Sequence, residues 1–79
     1  MRLDKFLKVS RVIKRRTVAN DACDAGRVSV NGKAAKAGYE VKPGDLIEIR
    51  FGMNATKLKV LSVSEQMRKE EAYTMYESL

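Results

Sequence analysis

Leu3, Phe6 and Leu7 follow the i, i+3, i+4 spacing of a helix that buries one stripe. Arg2, Lys5 and Lys8 recur every third residue on the other side of the same helical wheel. The pattern predicts an amphipathic first helix with its apolar stripe in the core and its basic stripe in water. Asp4 lies near the start of that helix, where the helix dipole favours a carboxylate; pairing with a nearby arginine is the alternative. The connection that follows is expected to tuck Val12 and Ile13 inward. A second helix is predicted over 17–25, capped by Thr17, with Val18, Ala22 and Cys23 as its inner face. Gly26 follows it, where a helix often ends on a residue that tolerates positive φ.

Beyond Gly26 the period shortens from helical to two. Val28 and Val30 alternate with polar neighbours, and Asn31-Gly32 is the strongest hairpin signal in the chain. Residues 33–36 give a short return strand. Pro43-Gly44-Asp45 marks a turn before an alternating strand over 46–51. Gly52-Met53-Asn54 turns again into a strand over 57–63. A polar helical tail is expected over 65–77, with Ala72, Met75, Tyr76 and Leu79 at helical spacing. The fold class is therefore α+β: two N-terminal helices packed on a small, mainly antiparallel sheet, with a short C-terminal helix. The domain is expected to occupy 1–64 and the helical tail 65–79.

Composition restricts the chemistry more than the fold. A chain of 79 residues buries only about 60% of its unfolded surface, which leaves little room for a deep active-site cleft. With no His and one Cys, neither a His-based triad nor a multidentate Cys/His zinc site can be assembled. Cys23 reads as a small buried apolar residue rather than a reactive thiol. No catalytic residue, metal or cofactor is expected. No apolar run is long enough to span a bilayer, and the basic, interrupted N-terminus does not resemble a secretory signal.

Charge changes the picture. Residues 1–16 carry seven basic side chains (Arg2, Lys5, Lys8, Arg11, Lys14, Arg15 and Arg16) against the single acid Asp4, while the rest of the chain has nine of each sign. The whole net charge of +6 thus resides in the first fifth of the sequence. A concentrated excess makes a local field that attracts a polyanion, and phosphate backbones are the commonest such partner.

The segments Arg2-Leu3-Asp4, Arg16-Thr17-Val18-Ala19, the run from Gly26 to Gly32 and Val41-Lys42-Pro43-Gly44-Asp45 stand in an order and spacing that resemble the S-four RNA-binding domain, over roughly residues 1–51. Arg15 stands where that family carries a serine. The resemblance implies an RNA-binding surface made by the two helices and the hairpin, with Arg2, Lys5, Arg11, Lys14, Arg15, Arg16 and Lys33 on phosphates. Asn31, Gly32, Gly44 and Asp45 read as turn formers. With few aromatics near the basic segment, base stacking is disfavoured against recognition of shape and backbone in structured RNA.

The opening MRLDKFLKVSR, the IKRRT segment and the tail Lys69-Glu70-Glu71-Ala72 with Met75-Tyr76 extend the resemblance to a stand-alone group, the bacterial ribosome quality-control P-site factors. That resemblance implies a cytoplasmic, ribosome-associated monomer without catalytic activity. Its partners would be large-subunit rRNA, P-site peptidyl-tRNA and, on the same particle, a protein that extends nascent chains with alanine. The small heat-shock proteins of the same domain family are the alternative, but they carry a longer basic extension, whereas residues 65–79 hold two basic and four acidic side chains. A membrane-surface helix and an RNA-modifying enzyme are further alternatives from other classes.

Overall fold

Asn31 (φ 53°) and Gly32 (φ 85°) both adopt left-handed backbone and fold β1 (Val28–Val30) directly back onto β2 (Lys33–Ala34). A two-residue loop with positive φ at both positions matches the twist of the flanking strands, which is what an Asn-Gly pair provides. The computed structural model describes residues 1–63 and 74–79. It adds β3 (Leu46–Phe51), β4 (Asn54–Val60) and β5 (Tyr76–Ser78) to one antiparallel sheet of order β2-β1-β3-β4-β5. Before the sheet come α1 (Leu3–Val9) and α2 (Arg16–Asp24).

Register decides which face is apolar. Val28 pairs with Ile49, Val30 with Ile47, and Ile47 with Leu58. Paired residues project to the same face and alternate residues to the same side, so these side chains and Val60 share one face. All of them are buried, in one core cluster with Leu3, Phe6 and Leu7 of α1 and Ala19, Ala22 and Cys23 of α2. The opposite face carries Ser29, Glu48 and Lys57 in a row across three strands. There Glu48 pairs with Arg50 Nε at 3.3 Å and with Lys57 Nζ at 3.9 Å.

Three local expectations are corrected. The second helix begins at Arg16, its N-cap is Arg15 in extended backbone, and no side chain caps it; Thr17 already lies inside the helix and is exposed. Its buried stripe is Ala19, Ala22 and Cys23, while Val18 remains 44% exposed. Residues three or four apart share a helix face, so Ala19, Ala22 and Cys23 form one stripe of small residues in the core. The strand after the second hairpin runs from Asn54 to Val60 rather than over 57–63, with Phe51 paired to Asn54 across Gly52-Met53.

The third correction concerns the C-terminus. The helix expected over 65–77 falls for residues 64–73 outside the described residues. At its end Tyr76–Ser78 is a strand, with Leu58 opposite Ser78 and Val60 opposite Tyr76, and Met75 is fully buried. The open edge of β4 offers unpaired backbone groups to an extended segment. That tertiary pairing overrides the helical spacing of Met75, Tyr76 and Leu79.

Candidate nucleic-acid interface

The basic stripe is positioned by the way α1 starts. A helix leaves its first N–H groups without internal partners. Here Leu3 N–H donates to the Tyr39 carbonyl at 2.8 Å and Asp4 N–H to the Ala37 carbonyl at 3.2 Å. Arg2 forms an antiparallel bridge with Glu40, whose carboxylate also accepts the N-terminal ammonium at 2.8 Å. That bond holds the Glu40 carboxyl below its usual value. Residues 37–41 thus act as a brace that fixes the backbone of Met1, Arg2 and Leu3.

Asp4 is the centre of the site. Its carboxylate is only 2% exposed and accepts four hydrogen bonds. Oδ1 takes Arg2 Nε at 3.3 Å and Lys5 N–H at 2.8 Å; Oδ2 takes Arg16 Nε at 3.4 Å and Asn20 Nδ2 at 3.3 Å. The sequence left open whether Asp4 serves the helix dipole or pairs with an arginine; it does pair, with two, and from the first turn of α1. Burial works against its ionisation. The bonds from Asn20, Arg16 and Lys5 and the Arg16 charge outweigh that effect and hold the carboxyl below its ordinary value.

Both arginine contacts run through Nε. The guanidinium ends of Arg2 and Arg16, whose side chains are 53% and 48% exposed, therefore remain available to an outside anion. A planar guanidinium can hold a phosphate through two parallel bonds. A carboxylate that fixes such a group at its inner nitrogen reduces the side-chain entropy that binding would otherwise remove.

The structure distributes the seven expected contact residues unevenly. Arg2 and Arg16 meet at Asp4, and Lys5 belongs to the same turn. Arg11, Lys14 and Arg15 lie exposed on the connection between the helices, with Arg15 as the N-cap of α2. Arg11 sits in left-handed backbone (φ 65°), a conformation that costs a non-glycine residue about 1 kcal/mol, so a charged side chain occupies a position that glycine would fill with less strain. Lys33 stands apart, on the edge strand β2, and among the described residues no hydrogen bond or ion pair ties it to the Asp4 group.

Two residues escaped the sequence reading. Asn20 lies one helical turn after Arg16, a spacing that places both on one face of α2 and was the available signal. Tyr39 had no local signal, since its place depends on the fold of residues 35–45. Its hydroxyl donates to Asp45 Oδ2 at 3.3 Å. Asp45 also accepts Asn31 Nδ2 and Lys42 N–H, and Asn31 Oδ1 accepts Leu46 N–H. Asp45 and Asn31 are turn formers, as expected, and together they tie the hairpin to the turn before β3. Cys23 is 1% exposed, with burial pushing its thiol up to about 11. It is inert packing.

Among the described residues no group of acidic, Cys or His side chains could hold a metal ion, and no helix is long and apolar enough to cross a membrane.

Comparison with known proteins places these features in a family. Residues 1–47 match the S4 domain. A protein of Halalkalibacterium halodurans named RQC P-site tRNA stabilizing factor is 58% identical over 77 residues, 98% of this chain and 88% of the relative. Its Bacillus subtilis namesake is 54% identical over 96% of this chain and 88% of its own length. Among solved structures, the trimeric heat shock protein 15 of Vibrio cholerae superposes with a TM-score of 0.90 at 32% identity, over all of this chain and 81% of that one.

Proposed function

The chain belongs to the S4 domain family, and from that premise we propose that it is a non-catalytic RNA-binding factor of ribosome-associated quality control. In this reading it binds large ribosomal subunits that retain peptidyl-tRNA, touching rRNA and the P-site tRNA at once. It stabilises the tRNA while a partner protein extends the nascent chain with alanine. It acts as a monomer in the cytoplasm and supplies charge and shape, not bond-making groups.

The observation that carries the reading is the pair Arg2 and Arg16, held through Nε by one buried carboxylate, with half-exposed side chains. Around this pair lie Lys5, Arg11, Lys14 and Arg15, within the segment that holds the whole net charge. A small body with one basic side can bridge two phosphate backbones, and the charge-balanced remainder tolerates protein neighbours. Heat-shock-type recycling of blocked large subunits is the second reading, favoured by the TM-score of 0.90. It ranks lower because identity to that protein is 32%, against 58% to the P-site factor of H. halodurans.

Co-sedimentation with purified large subunits tests the proposal. Arg2→Ala and Arg16→Ala should each weaken association by about ten-fold, the low end for a charge-assisted bond. Far-UV circular dichroism should not change, because Asp4 keeps Asn20, the Lys5 N–H and the other arginine in either variant. Wild-type co-sedimentation by both variants would remove these residues from the interface.

A further inference from the structure

A depression on the β2 side of the molecule is lined by Lys33, Ala34, Ala35, Lys36 and Tyr39, together with Val30 and Asn31 of the hairpin. Both lysines are exposed, and among the described residues no carboxylate lines it. Tyr39 is the aromatic of the depression and is 36% exposed. It is also pinned at three points. Its hydroxyl donates to Asp45, its N–H donates to the Lys36 carbonyl at 3.0 Å, and its carbonyl accepts the Leu3 N–H. Desolvation and the charge and bond of Asp45 push the phenol up, so it stays protonated and keeps that bond.

The depression is tied to the basic interface through the backbone. The Ala37 and Tyr39 carbonyls are the partners of the first N–H groups of α1, so the segment that leaves Lys36 runs directly to the backbone beside Arg2. A pinned, partly exposed ring that shares a depression with two lysines, its hydroxyl held by Asp45, has the chemistry of a stacking platform for an RNA base whose neighbouring phosphates are neutralised by lysine.

We propose that Tyr39, flanked by Lys33 and Lys36, forms a subsite for one unpaired nucleotide of the bound RNA, distinct from the phosphate-holding surface around Asp4. The inference rests on the RNA-binding reading and deepens it. It assigns Lys33, otherwise isolated from the Asp4 group, to this subsite together with Lys36 and Tyr39. It also revises the expectation that recognition proceeds without stacking.

The test uses the full chain with three probes: a short oligouridylate, an RNA duplex of equal length, and inorganic polyphosphate, which carries the charge without bases. The chain has three tyrosines and no tryptophan, so stacking on Tyr39 is visible as quenching of tyrosine emission. Oligouridylate should quench and polyphosphate should not. Tyr39→Leu should weaken oligouridylate binding about ten-fold, the effect of losing one stacked base, with duplex binding unchanged. Tyr39→Phe, which lacks the Asp45 bond but keeps the ring, should bind as wild type.

Equal losses in the Phe and Leu variants would assign the effect to the hydroxyl's structural bond and overturn the stacking role. Equal quenching by polyphosphate, or a Leu variant indistinguishable from wild type, would overturn it too while leaving the RNA-binding reading intact. A wild-type protein that binds neither RNA removes both. Because three tyrosines emit, the quenching is assigned to Tyr39 by its loss in Tyr39→Phe. That loss decides the matter even where Tyr39→Leu does not fold, and quenching that persists in Tyr39→Phe would overturn the proposal.

Discussion

RNA affinity of the purified protein should fall by about two orders of magnitude or more as salt rises from about 50 to about 200 mM. The expectation follows from the basic surface. Arg2, Lys5, Arg11, Lys14, Arg15 and Arg16 are confined to residues 1–16, and neutralising roughly four to six phosphates releases a matching number of condensed counterions. Each released ion adds nearly one to the slope of log affinity against log salt, so a four-fold rise in salt has a multiplied effect. Filter-binding or anisotropy titrations across that range give the slope directly. A flat response would mean that this segment is not the binding surface.

Replacing Asp4 by Asn produces the second large effect, in a direction that net charge alone does not predict. The substitution raises the net charge from its present +6, and simple attraction to phosphate would then strengthen binding. The geometry predicts weakening. Asn is the same shape but neutral, so the contacts from Arg2 and Arg16 lose their charge assistance. The Asn20 amide also faces a group that is itself half donor. Freed of their anchor, both arginines must be ordered again on binding, at about 0.5–1.5 kcal/mol per side chain. RNA affinity should therefore drop about ten-fold despite the added charge. Affinity equal to or above wild type would show that Asp4 does not preorganise the arginines.

The same substitution tests stability. Loss of several charge-assisted bonds to a carboxylate that is 2% exposed should lower unfolding free energy by about 2 kcal/mol at neutral pH; the half-exposed arginines keep the figure below that of a fully buried pair. Because the Asp4 carboxyl is held below its ordinary value in the folded chain, the unfolded chain binds the proton more readily. The stabilisation is therefore complete above the unfolded carboxyl value of about 3.9, and it is lost as pH falls through the lower folded value. Urea unfolding followed from neutral pH into this acid range should show a shallower decline in the Asn variant.

Much of the architecture could be read from residues that act locally. The stripe of Leu3, Phe6 and Leu7 announces α1, and all three are fully buried. Asn31-Gly32 announces its hairpin because few other pairs accept positive φ at both positions. Pro43-Gly44-Asp45 announces the turn into β3. The errors arise where a distant partner decides. Tyr76–Ser78 takes strand conformation because the edge of β4 is open to it, and three residues are too few for a period to compete with helical spacing. Val18 is the more apolar residue, yet it stays exposed while Ala19, Ala22 and Cys23 are buried, because packing against the rest of the fold decides which face of α2 turns inward.

The candidate site was legible as composition and not as geometry. Counting charges locates the basic segment, since the field of seven cations does not depend on their exact arrangement. What the sequence cannot express is that Asp4, Arg16 and Asn20, spread over two helices, converge on one carboxylate. Nor can it express that Tyr39 is pinned beside two lysines by a turn that begins six residues later in the Asp45 contact. Each is a long-range contact with no local signature.

The central claim is tested most directly by gentle affinity capture of the tagged protein from growing cells, with sequencing of the RNA that comes with it. The account predicts large-subunit rRNA together with peptidyl-tRNA and little small-subunit rRNA. Whole ribosomes, free tRNA or no RNA at all would contradict it.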